Sequence, residues 1–252
     1  AVGNKRNATL LENVGGLTMT ALAETVICVT GADADATVGG RPAPLATPTI
    51  VPAGAEVVVK PARLGFRTYV AVRGGLIADT ELDSAATDML SGLGPKPLAA
   101  GDSIAMSLTP PQSANSLLTN PLRVERDGAD VVGVVRCVLG PRDDWFDKDA
   151  VDRFFATTFT VTGDSNRVGL RLESDAPLTR SRDGELPSEG MVAGSVQIPP
   201  SGQPVLFLRD HAVTGGYPVI ATVINEDVDI AAQLPPGGKL RFERYTLEAV
   251  SY

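Results

Sequence analysis

Cysteine is nearly absent from this chain: Cys28 and Cys137 are the only two, too few for a disulfide framework. Histidine is scarcer still, and the lone His211 with two scattered thiols gives little basis for a transition-metal site. No stretch of about 18 apolar residues occurs, so the sequence offers no transmembrane helix. Positive charge is also short, with 22 Lys and Arg against 30 Asp and Glu for a formal net charge of −8. Binding a phosphate backbone needs clustered cations that release counterions, so nucleic acid is not an expected partner. The opening AVGNKRNATLL lacks the basic and then apolar layout of a signal peptide, which points to the cytoplasm. Neither the G-x-x-x-x-G-K-[ST] phosphate cradle nor the dinucleotide fingerprint is found, and no serine sits in a G-x-S-x-G setting.

What is present reads as a β-rich globular protein. The 252 residues are 43% hydrophobic and 21% charged, enough for one large β domain or two smaller ones. Short β-branched or alternating runs lie at 57–62, 67–74, 102–108, 159–163, 204–210 and 239–245, between Gly and Pro breaks. Similar turns launch a β-run in PAGAEVVV, LAAGDSIAM and LPPGGKLRF, without a fixed repeat period. Two helices are expected. WFDKDAVDRFF takes Asp143 or Asp144 as N-cap, and EDVDIAAQL takes Asn225 as cap and ends before the Pro235-Pro236-Gly237-Gly238 run. The stretch TPPQSANSLLTNPL, 109–122, has no periodicity and reads as a linker between halves 1–110 and 123–252.

The chemistry concentrates in residues 188–224, SEGMVAGSVQIPPSGQPVLFLRDHAVTGGYPVIATVI. Gly190, Gly194, Gly202, Gly215 and Gly216 suit left-handed or crowded backbone, and the prolines between them stiffen the loops. Thr214-Gly215-Gly216-Tyr217, like Arg73-Gly74-Gly75 in VRGGL, reads either as a plain turn or as a nest of N–H groups for a carboxylate or phosphate. Ser165-Asn166-Arg167 reads as a ligand-binding cluster or as a capped hairpin loop with a solvated cation. Glu189, beside Arg167 or Arg209, is a general base, a substrate clamp or a surface ion pair. His211, after Arg209 and Asp210, is the acid, base or ligand available near neutral pH. Glu189, Arg209 and His211 are thus the catalytic candidates. The amides of Gly215 and Gly216, with a hydroxyl or stacking face from Tyr217, would stabilise charge on a carbonyl oxygen, and Arg167 or Arg209 would hold a carboxylate.

Several of these pieces carry a family resemblance. VRCVLGPRDDWF, FTVTGDSNRVGLRLE, SEGMVAGSVQIPPSGQP and RDHAVTGGYPVIATVI in the second half resemble the biotin-dependent carboxyltransferase-related family, which includes allophanate hydrolase subunit 2 and the 5-oxoprolinase C subunit. So do YVAVRGGL and SAATDMLSGLGPKPLAAGDSI in the first. The chain departs from that pattern by opening after the family's Gln-Asp-x-Gly-Arg segment, and at Ala212-Val213, where relatives carry a polar residue.

The resemblance implies a mainly β fold of two cyclophilin-like β-barrel halves with a few short helices. It implies a smaller homologous partner subunit and a possible third, forming an ATP-dependent amidohydrolase of 5-oxoprolinase type that acts on a small cyclic amide or ureido substrate. Two alternatives share the family. One is the carboxyltransferase module of a urea carboxylase, with biotin carried on another protein. The other is a non-enzymatic antagonist of a kinase inhibitor.

Overall fold

A computed structural model describes residues 1–89, 91–107, 112–114 and 123–246, and the chain is mainly β with few short helices. Its contacts fall into two units, one of Ala1–Arg63 with Arg67–Pro121, the other of Leu64–Phe66 with Leu122–Tyr252. All but three residues of the expected 109–122 linker, Gln112 to Ala114, lie outside the described residues.

In the first unit β1 (Leu11–Val14), β2 (Leu17–Thr20), β3 (Thr25–Asp33), β4 (Ala36–Val38), β5 (Arg41–Pro42), β6 (Thr49–Val51), β7 (Glu56–Val59) and β8 (Leu64–Val72) form two four-stranded sheets. Their orders are β1-β8-β3-β6 and β2-β7-β4-β5. Alternation along the strands sends Ile27, Val29, Val57, Val59, Val70 and Val72 into one apolar cluster. Among the described residues 102–107 of the run at 102–108, expected as a strand, the only β pairing is an isolated bridge from Met106 to Leu76.

The second unit is built on a closed barrel. Its strands are β9 (Val124–Asp127), β10 (Asp130–Leu139), β11 (Thr158–Val161), β12 (Gly169–Glu173), β13 (Glu189–Gly190), β14 (Ser195–Gln197), β15 (Val205–Phe207), β16 (Thr214–Gly215), β17 (Val219–Val223) and β18 (Lys239–Arg244). The order β17-β14-β15-β12-β11-β18-β10 returns to β17 through a β10–β17 pairing, so these strands expose no free edge to one another, and β9 flanks β10. Within the barrel β10 and β18 run parallel and the other pairs antiparallel. Inward residues such as Val135, Phe159, Leu170, Val196, Leu206, Ile220, Leu240 and Phe242 are at most 1% exposed and fill its core.

Two helices close on this barrel, with starts that differ from expectation. Asp143–Trp145 winds as a short 3-10 turn, and α1 (Lys148–Ala156) begins only after Asp147, whose side chain accepts the Ala150 N–H at 2.7 Å. Phe154 of α1 stacks on Phe242 with centroids 4.5 Å apart and tilts against Phe159 at 6.0 Å, which fixes the helix on the sheet. The second helix, α2 (Val228–Ala231), follows Asp227 rather than Asn225, and neither side chain caps it: Asn225 Oδ1 is taken by Arg209 and the Asp227 carboxylate by Arg136 and Arg123.

Candidate active site

Strands β13 and β16 pair antiparallel as a ribbon, Glu189 opposite Gly215 and Gly190 opposite Thr214. Met191 extends it, its N–H donating to Val213 O at 2.9 Å. The ribbon lies on Gln197 of β14, a buried side chain whose Nε2 donates to Tyr217 O at 3.1 Å and lies 3.4 Å from Met191 Sδ. A Cβ on Gly215 would come within 2.3 Å of that nitrogen, so this glycine answers to crowding and not to a left-handed φ.

Glu189 is gripped by Arg142. Arg142 Nε lies 3.1 Å from Glu189 Oε2 and Nη2 bonds Oε1, a two-pronged charge-assisted pair. That hydrogen bond raises the Arg142 guanidinium above its ordinary value. Arg142 follows the Gly140-Pro141 turn at the end of β10, where its N–H donates to Val219 O at 3.2 Å. Arg167 and Arg209, the partners expected for Glu189, are engaged elsewhere: Arg167 with Asp210 at 3.3 Å and Arg209 with Asp229 at 3.0 Å. At the far end of the ribbon Tyr217 lies under the Arg180 guanidinium, 5.7 Å from carbon to ring centroid. Arg180 in turn donates from Nε and Nη2 to Ile198 O at 3.2 and 2.6 Å.

The other sequence candidates fall into separate groups. Ser165 Oγ accepts the Arg171 N–H at 2.9 Å, and Asn166 Oδ1 accepts the N–H groups of Val168 and Gly169 at 2.9 and 3.2 Å. These two side chains fold their own turn. His211 Nδ1 lies 2.9 Å from Ala212 O, and because a carbonyl only accepts, Nδ1 is the donor in that contact and Nε2 is the ring nitrogen outside it. Its ring centroid is 6.3 Å from that of Phe207, which clusters with Met191 and Val219 beneath the ribbon. Arg209 also donates to Asn225 Oδ1 and Asn225 O, so it pins the loop before α2. Arg73, Gly74 and Gly75 belong to the first unit. There Arg73 Nη1 donates to Val2 O at 2.9 Å and the Gly74 N–H to Asn4 Oδ1 at 2.8 Å.

The ribbon thus gathers Glu189, Thr214, Gly215, Gly216 and Tyr217, while Arg167, Asp210 and His211 form a neighbouring loop pair. Arg142, Arg180 and Gln197 are the residues that sequence reasoning missed. Arg142 stands in the conspicuous Gly-Pro-Arg turn, but its partner is 47 positions away and no local pattern links them. Burial pushes the Cys137 thiol up to about 12, which makes it a poor nucleophile, and raises Cys28 as well. Among the described residues no group of three His, Cys, Asp or Glu is arranged to hold a metal ion, and no helix is long and apolar enough to cross a membrane. A cavity of about 650 Å³ opens elsewhere on the second unit, lined by Asp127, Asp130, Glu173 and Asp175 against Lys239 and Arg241. None of the sequence candidates lines it.

Comparison with known proteins places these features in context. The chain is 31% identical to the 5-oxoprolinase C subunit of Escherichia coli (strain K12) and 30% to that of Haemophilus influenzae, covering 98% of this chain and 78% of each relative. It is 26% identical to a urea amidolyase of Lachancea kluyveri, of which it spans 14%. Among solved structures, TTHA0988 superposes with a TM-score of 0.79 at 31% identity, over 96% of this chain and 46% of that one. The urea amidolyase of K. lactis shares the fold, with a TM-score of 0.85 at 22% identity over 97% of this chain and 16% of that one. The family described as carboxyltransferase domain, subdomain A and B, matches residues 1–244, and the chain belongs to it.

Proposed function

We propose that the chain is a subunit of a 5-oxoprolinase-type complex that opens a small cyclic amide at the expense of ATP, alongside a smaller homologous subunit and a third one. The observation that carries this reading is the near-complete match to two 5-oxoprolinase C subunits, at higher identity than to the urea amidolyases. The ribbon suits the chemistry. The Gly215 N–H is spent in the ladder opposite Glu189, so the Gly216 N–H and the Tyr217 ring are what the ribbon offers a lactam as donor and flat face, and opening its amide places negative charge on the carbonyl oxygen. Glu189, held by Arg142, is the carboxylate at hand to orient an attacking group or accept its proton. His211 Nε2 and Arg209 are the secondary candidates, and the turns of Ser165-Asn166-Arg167 and Arg73-Gly74-Gly75 serve chiefly as scaffold.

ATP does not suit this chain. The larger cavity carries four acidic side chains against two basic ones, a poor setting for a triphosphate, so the phosphate chemistry falls to the companion subunits.

The test is ATP hydrolysis by the copurified complex with 5-oxoproline, urea and allophanate in parallel. Turnover that depends on 5-oxoproline, falling at least tenfold in Glu189→Gln, is the expected result. Dependence on urea in place of the lactam transfers the chain to the carboxyltransferase reading, with biotin on another protein. A stable complex that turns over none of the three identifies a binding module.

A further inference from the structure

Arg180 stands apart from the other arginines of this region. Arg142, Arg167, Arg182 and Arg209 are each paired with a carboxylate, those of Glu189, Asp210, Asp144 and Asp229. Arg180 has no acidic partner among the described residues. Its two hydrogen bonds go to one carbonyl, Ile198 O, and its guanidinium carbon sits over the Tyr217 ring, 5.7 Å from the centroid. Burial pushes its guanidinium below the ordinary value, with Tyr217 drawing it partly back. A cation partly withdrawn from water without a counter-charge is costly to keep, unless an anion completes it.

The geometry fits that need. Nε and one Nη2 hydrogen are spent on Ile198 O, which leaves the end of the fork between Nη1 and Nη2 open, and that end matches the two oxygens of a carboxylate. The segment is held in place independently: the Ser181 N–H donates to Trp145 O at 2.8 Å and Arg182 pairs with Asp144 at 2.8 Å. Tyr217 follows Gly215 and Gly216, so the cation borders the ribbon. Arg167 and Arg209, the cations expected to hold a substrate carboxylate, already have internal ones.

We propose that Arg180 and Tyr217 form a carboxylate subsite for a small, flat acid, Arg180 taking both oxygens end-on and Tyr217 lying against the ring. The acid's identity as 5-oxoproline rests on the functional reading above, whereas the subsite itself does not.

Ligand-observed NMR on the full chain tests it with three probes: 5-oxoproline, cyclopentanecarboxylate and the neutral lactam 2-pyrrolidinone. Both acids should bind at least tenfold more tightly than the neutral lactam. Arg180→Gln, which keeps a donor for Ile198 O, should weaken the acids at least tenfold and leave 2-pyrrolidinone unchanged. Should that variant fold poorly, Tyr217→Leu removes the supporting ring without touching the Ile198 anchor and should weaken the acids in the same direction. Equal binding of acid and neutral lactam, unchanged affinity in the variants, or no acid binding at all overturns the subsite. Arg180-dependent acid binding in a chain whose complex ignores 5-oxoproline leaves the subsite standing and removes the functional reading.

Discussion

Asp227 and Glu189 are both arginine-bound carboxylates, yet their surroundings give them opposite roles. Asp227 is fully buried and accepts hydrogen bonds from Arg136 N, Nε and Nη2 at 2.8 Å each and from Arg123 Nη1 at 3.0 Å. Burial alone raises such a group, but the Arg136 bonds outweigh it and hold the carboxyl below the usual carboxylate range. Unfolded, the same group takes up a proton near pH ~4. Its contribution to stability is therefore complete above that pH and is lost as the pH falls through the lower, folded value. Asp227→Asn should cost about 2–4 kcal/mol near neutrality, since it leaves Arg136 bonded to a neutral group in a buried site. Melting curves from pH 7 downward should show wild type and variant converging below about pH 4; a constant gap would contradict the assignment. Glu189 is 27% exposed and its Arg142 partner 37%, so water screens their pair and it adds little to stability. Loss of Glu189 should be read in turnover, with little change in melting.

Barrel closure sets the position of Arg142. The end of β10 pairs with β17, Cys137 opposite Val223 and Leu139 opposite Ala221, and the Gly140 N–H then donates to Ile220 O at 2.8 Å. A Cβ on Gly140 would fall 2.3 Å from Val219 O and 2.9 Å from Ala221 N. These are backbone atoms that cannot swing aside, so Gly140→Ala should force the closing strands apart at a cost of about 2–3 kcal/mol. In a chain of this size that lowers the melting temperature by roughly 5–10 °C. Arg142, two residues on, should lose its grip on Glu189, and turnover should fall with stability; an unchanged melting curve would show that the closure tolerates a methyl group. Much of this architecture was legible in the sequence, because alternation in β8 and β18 places Val70, Val72, Leu240 and Phe242 inside. The same pattern at 102–108 misled, since alternation does not reveal whether a partner strand is available. The start of α1 was misplaced because Asp143, Asp144 and Asp147 are all plausible caps, and only the 3-10 turn selects Asp147. At the site, the glycines of SEG and TGGYP marked the ribbon, whereas Arg142 and Arg180 were invisible because their partners lie 47 and 18 residues away.

For the whole molecule, charge bears on where ATP would bind in the complex proposed above. The chain carries a net −8, and its larger cavity sets Asp127, Asp130, Glu173 and Asp175 against Lys239 and Arg241. A smaller cavity of about 260 Å³ in the first unit has Arg63 between Asp33 and Asp35, both bound to it. A nucleotide triphosphate needs converging N–H groups or unpaired cations, and a field of like sign lowers its local concentration. Arg180 is a single cation suited to one carboxylate, not to three linked phosphates. Calorimetric titration of the isolated chain with Mg-ATP should accordingly give no saturable binding, and ATP turnover should appear only with the companion subunits. Under the function proposed above, adding this chain to them should then make turnover depend on the lactam, which that proposal assigns to this chain. Saturable Mg-ATP binding by the chain alone, displaced by ADP, would reverse that division of labour and locate a phosphate site among residues whose charge argues against it.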